Sequence, residues 1–153
     1  MKVGILSFQG SFLDHSKSIH ELGYESLLIK QSKDLTSVDA LILPGGESTA
    51  MRKINQFSNL LSDVDQLIKD GIPTLTTCAG TILLAKEVID GEVTIPNIDI
   101  EVTRNAYGRQ TESFEGSVKF FENEDIYCFI RAPKISKILS DTCLLYTSPS
   151  PRD

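Results

Sequence analysis

Residues Pro73–Lys86 read PTLTTCAGTILLAK. A short β-type run, Thr74 to Thr77, gives way through the small residues around Cys78 to an apolar run of helical character. The pattern is strand, tight turn, helix, with a cysteine at the turn. The same alternation recurs upstream. Lys2–Ser7 is β-rich and ends in the Gln9-Gly10 turn, after which Phe12, His15, Ile19 and Leu22 recur at helical spacing and Gly23 supplies a stop. Tyr24–Lys30 and Ser37–Pro44 read as the second and third strands. After Gly45-Gly46-Glu47-Ser48 a helical stretch is predicted through Met51, Ile54, Leu60, Leu61, Val64 and Leu67, broken by Gly71-Ile72-Pro73. The run AGTILLAKEV, Ala79–Val88, is predicted as the next helix. Strands alternating with helices of this length predict an α/β fold, a mostly parallel sheet with flanking helices. Beyond residue 90, NIDIEVTRN, SFEGSVKFF and IYCFIRAP are strand-like with Gly and Asn turns, which predicts an antiparallel excursion or a strand-rich second half.

At 153 residues and 41% hydrophobic content, the chain fits one globular domain with its own core. A net charge of −6 argues against nonspecific nucleic-acid binding, which needs a basic surface, and favours a protein that handles small molecules. The three cysteines, Cys78, Cys128 and Cys143, have no framework spacing and read as reduced thiols of a cytoplasmic protein. No cleavage signature follows the N-terminal run, no apolar run approaches a membrane span, and no His/Cys/carboxylate cluster has metal-ligand spacing. Cys128 reads as a core residue.

In parallel α/β sheets the ligand site lies beyond the carboxyl ends of the strands. Three loops are expected there: Gln9-Gly10, Gly45-Gly46-Glu47-Ser48 and Thr77-Cys78-Ala79. A thiol at a helix N-terminus is favoured as thiolate, and the N–H of Ala79 would point toward an oxyanion forming on an attacked carbonyl. The alternatives are a buried core cysteine and, for LPGGEST (Leu43–Thr49), a plain strand-to-helix turn with Ser48 as N-cap.

LSFQGSFLDH, LILPGGESTAM, TLTTCAGTILLAK, RNAYGRQTESFEG and FIRAP follow one another in this order. In these segments the chain, from about Lys2 to Pro133, resembles the glutaminase subunits of pyridoxal 5′-phosphate synthase, a family of class I glutamine amidotransferases. The resemblance implies the flavodoxin-like architecture of that class. It implies that Cys78 attacks the carboxamide of L-glutamine to form a thioester, with the N–H groups of Gly46 and Ala79 as the oxyanion hole. Gly46, Glu47, Ser48, Arg104, Ile130 and Arg131 fall at the family's glutamine-binding positions, with Glu47 and Arg104 suited to the ammonium and carboxylate groups. The released ammonia would pass to a synthase subunit; neither cofactor nor metal is implied. Two positions depart from the family pattern. Thr76 stands where glycine is frequent, two residues before the nucleophile, and Asp14 stands before His15 where glutamate is usual.

The family's triad continues with a histidine and a glutamate two residues apart near the C-terminus, yet this sequence has no histidine after His20. His15 and His20 lie on the first helix and do not match the family's base. With one choice of codons, the run CLLYTSPSPRD, Cys143–Asp153, back-translates along its whole length into transposase-end and adapter DNA of sequencing libraries. The expectation is therefore a glutaminase domain over residues 1–142, incomplete at its C-terminal end, and a non-native tail over 143–153. As written, the chain is expected to be almost inactive. Two alternatives stand beside this: a non-catalytic module that binds glutamine or the synthase, and the glutaminase of another amidotransferase pathway.

Overall fold

The computed structural model describes residues 1–108, 113–120, 123–129, 132–140 and 146–147. Its first half alternates as the sequence predicts: β1 (Lys2–Leu6), α1 (Phe12–Glu21), β2 (Glu25–Ile29), a 3-10 turn (Ser32–Ser37), β3 (Ala40–Leu43), α2 (Ser48–Ser58), α3 (Leu60–Lys69) and β4 (Thr74–Thr76). The four strands form one parallel sheet in the order β2-β1-β3-β4. Helices cover both faces of its centre, which is why β1 and β3 read as nearly unbroken apolar runs. Val3, Ile5 and Ile42 pack with Phe12 and Ile19 of α1. On the other face Leu6, Leu41 and Leu43 join Met51, Leu60, Leu61, Val64 and Leu83 in the main core.

The predicted helical stretch from Met51 to Leu67 is two helices. Asn59 separates them in the left-handed conformation, φ 53° and ψ 18°, with its N–H donating to the Asn55 carbonyl at 2.8 Å. The Asn55 side chain then accepts from Leu61 N–H at 2.8 Å. Asparagine tolerates this conformation better than other non-glycine residues, and the bend lets both Leu60 and Leu61 enter the core.

The helix predicted over Ala79–Val88 also needs correction. α4 spans Ala79–Leu84, and Ala85 turns to extended backbone at φ −65° and ψ 139°. Ala85–Ile89 is β5, parallel to β6 (Ile98–Thr103). Ala85 and Val88 pack with Ile82, Ile100 and Val102, while Lys86 reaches Asp99 at 2.8 Å. Sheet pairing overrides the helix preference of Ala-Lys-Glu here.

The second half is strand-rich, as expected. β7 (Phe114–Phe120) pairs antiparallel with β8 (Asn123–Phe129), and β6 pairs antiparallel with β9 (Lys134–Ile138). The short β10 (Tyr146–Thr147) lies against β7. The nearly buried Glu101 of β6 is neutralised by Lys137 of β9 at 2.7 Å. Among the described residues no helix is long and apolar enough to cross a membrane.

Candidate active site

The carboxyl ends of β1, β3 and β4 bring the three expected loops together. Ser11 N–H donates to the Gly45 carbonyl at 3.0 Å, Glu47 N–H to Gln9 Oε1 at 2.7 Å, and Thr77 N–H to the Leu43 carbonyl at 3.1 Å. Gly10 permits this closeness: its φ is +101°, and a Cβ there would lie 1.9 Å from the Gly45 carbonyl oxygen.

Cys78 forms a sharp elbow between β4 and α4. Its φ of 45° and ψ of −106° lie where L side chains are strained, at a typical cost of about 1–3 kcal/mol. Hydrogen bonds from Thr81 and Ile82 N–H to its carbonyl, at 3.1 and 3.2 Å, hold the turn. Gly80 N–H donates to Thr77 O at 2.9 Å. Cys78 is exposed and Ala79 is buried beneath it, so Cys78 is not a core cysteine. Thr76 fits the elbow through a 2.9 Å hydrogen bond to Thr81, tying β4 to α4.

Gly45 and Gly46 lie beside the elbow; a Cβ on Gly45 would be 3.3 Å from Cys78 Cβ, and Gly46 itself is exposed. The N-cap of α2 is Glu47, not Ser48. Its carboxylate accepts from Thr49 N–H at 3.1 Å and Ala50 N–H at 2.7 Å. Ser48 is the first helical residue and is 2% exposed, with no hydrogen-bond partner for Oγ among the described residues. Arg104, just beyond β6, donates through Nη2 to Glu47 Oε1 at 3.3 Å and to Thr49 Oγ1 at 3.2 Å. Burial acts to raise the Glu47 pKa. The N–H groups of Thr49 and Ala50, the Thr49 side chain and Arg104 outweigh it and hold the carboxyl below its ordinary range. Thus Glu47 and Arg104, expected to meet opposite ends of one amino acid, pair with each other across the site. Ile130 and Arg131 lie outside the described residues.

Two cavities open at Cys78. One of about 600 Å³ is lined by Leu75, Thr77, Cys78, Val118, Tyr127, Cys128 and Phe129. A smaller one, about 150 Å³, lies between Cys78, Thr81, Phe129 and Ala132-Pro133. Phe129 stacks on Phe114 at 5.0 Å and packs against Tyr107 at 5.4 Å, which brings Tyr107 to the wall. Cys128, expected in the core, is exposed, because its side of β8 faces out of the hairpin.

The sequence signal was weakest for His15. Its Nε2 lies 3.3 Å from Thr77 Oγ1, so α1 does reach the nucleophile's loop. Desolvation lowers its pKa against a smaller opposing effect of Asp14, which favours the neutral ring. His20 instead meets Ser26 at 3.2 Å. Among the described residues no three of His, Cys, Asp and Glu gather to hold a metal ion.

A model of the SNO glutamine amidotransferase family matches residues 5–149. The chain belongs to this family. Among relatives of this SNO-family chain, the pyridoxal 5′-phosphate synthase subunit PdxT of Corynebacterium jeikeium is 40% identical over 154 residues, 97% of this chain and 79% of the relative. The subunit of the same name from Thermosipho africanus is 45% identical over 138 residues, 88% of this chain and 73% of the relative. A crystal structure of a glutamine amidotransferase matches with a TM-score of 0.84 at 33% identity, covering 94% of this chain and 78% of that one. The SNO family match spans the parallel sheet and the loops that carry Gly45-Gly46 and Cys78.

Proposed function

We propose that the chain is the glutaminase subunit of a pyridoxal 5′-phosphate synthase, working in the cytoplasm on L-glutamine beside a synthase subunit. The observation that carries the proposal is the exposed, strained Cys78 facing the Gly45-Gly46 loop, with the Glu47–Arg104 pair across the site. The names of the PdxT relatives supply the pathway.

In this reading the Cys78 thiolate attacks the carboxamide carbon, and the N–H groups of Gly46 and Ala79 receive the oxyanion. The C–N bond breaks as the leaving nitrogen takes up a proton from solvent, ammonia leaves for the synthase subunit, and water hydrolyses the thioester to glutamate and the free thiol. The amino acid is held by Gly46, Glu47, Ser48, Arg104, Ile130 and Arg131. Its ammonium and carboxylate groups exchange into the Glu47–Arg104 pair, which offers one partner of each sign. A charge-assisted contact at each end fixes which way the carboxamide points.

The family's His-x-Glu pair does not occur in this sequence after His20. The proposal therefore assigns these residues binding and nucleophile placement, with turnover by the chain as written roughly a thousandfold or more below a complete triad enzyme. The test is calorimetric titration with L-glutamine, together with glutamate release measured alone and with the synthase subunit. Binding of L-glutamine with scant turnover, and capture of the chain by the synthase subunit, is expected. Absence of glutamine binding, or full turnover that persists in Cys78→Ala, overturns the proposal.

A further inference from the structure

Besides Glu47, Arg104 is held by groups that lie outside the expected glutamine-binding positions. Its Nη2 donates to Thr49 Oγ1 at 3.2 Å as well as to Glu47, and its Nη1 reaches the Asp90 carbonyl at 3.5 Å. Its backbone N–H donates to Ile89 O at 3.3 Å. The side-chain stem lies over Gly91, where a Cβ would fall 2.5 Å from Arg104 Cδ. Asp90 turns at φ 58°, so the strand β5 ends there and the chain folds back beneath the arginine. The turn is tied to α2 a second time: Arg52 donates to the Glu92 carbonyl at 3.2 Å and faces its carboxylate at 3.7 Å. The guanidinium is thus held from two sides, by the first turn of α2 and by the Asp90-Gly91-Glu92 turn.

We infer that Thr49 and the Asp90-Gly91 turn are positioning elements that set the Arg104 guanidinium for the α-carboxylate of the substrate. The inference rests on the glutamine reading above. A single guanidinium has several donors, and a carboxylate ligand gains from two parallel hydrogen bonds only when that fork is fixed in plane. Glu47 alone leaves the fork free to swivel about one contact. Thr49 supplies a second acceptor on the same nitrogen, and its side chain also contacts the Glu47 carboxylate. Gly91 supplies the clearance without which the stem cannot lie where it does.

The two elements predict different costs. Replacing Thr49 by valine keeps the shape and deletes the acceptor. Replacing Gly91 by alanine introduces a methyl that would lie 2.5 Å from Arg104 Cδ and 2.8 Å from Val88 Cγ1, side chains rather than backbone, so the flexible arginine moves most and Val88 gives a little.

The test is the dissociation constant of L-glutamine for the full chain by calorimetric titration, with urea midpoints measured in parallel. Thr49→Val is expected to weaken binding about tenfold, the scale of a lost hydrogen bond to a charged group. Thr49→Ser, which restores the hydroxyl, should return to within about threefold of the parent. Gly91→Ala should weaken binding about tenfold or more, out of proportion to the small fall in midpoint that the Val88 contact brings, because a small misplacement spoils a bidentate contact. Unchanged affinity in both Thr49→Val and Gly91→Ala overturns this inference and leaves the glutamine site standing. Loss of affinity that Thr49→Ser fails to restore, or that tracks the urea midpoint, also overturns it. Failure of the parent chain to bind L-glutamine overturns the glutamine reading and this inference with it.

Discussion

Gly80 occupies the first turn of α4, and in an ordinary helix its replacement by alanine would stabilise by at most about 1 kcal/mol. The structure predicts the opposite sign. A Cβ at Gly80 would stand 2.0 Å from the Leu43 carbonyl oxygen and 2.7 Å from its carbon, where real contacts stay beyond 3.0 Å. The obstacle is the backbone of a central strand, and that same carbonyl accepts the Thr77 N–H that anchors the elbow. Relief requires α4 to retreat from β3, carrying Cys78 with it. Overpacking of this kind costs about 1–3 kcal/mol and sometimes more. A rigid obstacle puts the cost toward the top of that range, so after the helix gain the net loss is about 2 kcal/mol. With a urea slope of about 1–3 kcal/mol per molar, the midpoint should fall by roughly 1 M. Displacement of the elbow should also change the alkylation rate of Cys78 relative to Cys128, an exposed thiol in the same chain. Gly23→Ala is the control: its φ is +80° with nothing within 4 Å, so it strains the backbone without moving the elbow. A Gly80→Ala protein with an unchanged or raised midpoint and an unaltered Cys78 rate would refute the reasoning.

Other perturbations follow from the same geometry. Cys78→Gly should raise stability by about 1 kcal/mol in urea titration, since relief of the positive-φ strain exceeds the flexibility cost of glycine, while abolishing every reaction at this position. Glu47→Gln should lower stability near neutral pH by about 1 kcal/mol through the weakened helix cap, the exposed part of the ion pair adding little. Because the folded Glu47 pKa lies below its ordinary 4.5, its contribution is present above that pH and is lost as the pH falls, so the variant's acid limb should be flatter. His15 is likewise depressed from 6.5: the unfolded chain takes up its proton first, so stability falls as pH drops below that value. His15→Asn should remove that part of the acid sensitivity, read as urea midpoints across the pH range.

The first half of the fold was legible because its central strands, β1 and β3, are covered on both faces and its turns carry glycine. Gly10, Gly45-Gly46 and Gly80 mark the places where backbones approach one another, and those places converge on Cys78. The features that escaped notice lack such marks. The break at Asn59 uses a non-glycine residue in the left-handed region, so the apolar spacing runs across it unchanged. β5 is written in helix-forming residues and becomes a strand only through β6, which lies further along the chain. Cys128 was placed in the core on residue type, whereas its exposure depends on which side of the β7–β8 hairpin is covered. The pairing of Glu47 with Arg104 spans 57 positions and no local pattern announces it, although the family resemblance had already placed both among the glutamine-binding positions. Thr49 and Gly91 were invisible for the same reason, being defined only by where Arg104 lies.

The central claim is that Cys78 is the thiol that meets the glutamine carboxamide. The measurement that tests it most directly is alkylation by iodoacetamide, mapped by mass spectrometry, with and without saturating L-glutamine. L-glutamine is expected to slow labelling of Cys78 while Cys128 reacts as before, and L-alanine, which has no carboxamide, should protect far less. Equal labelling of Cys78 in the presence and absence of L-glutamine would contradict it.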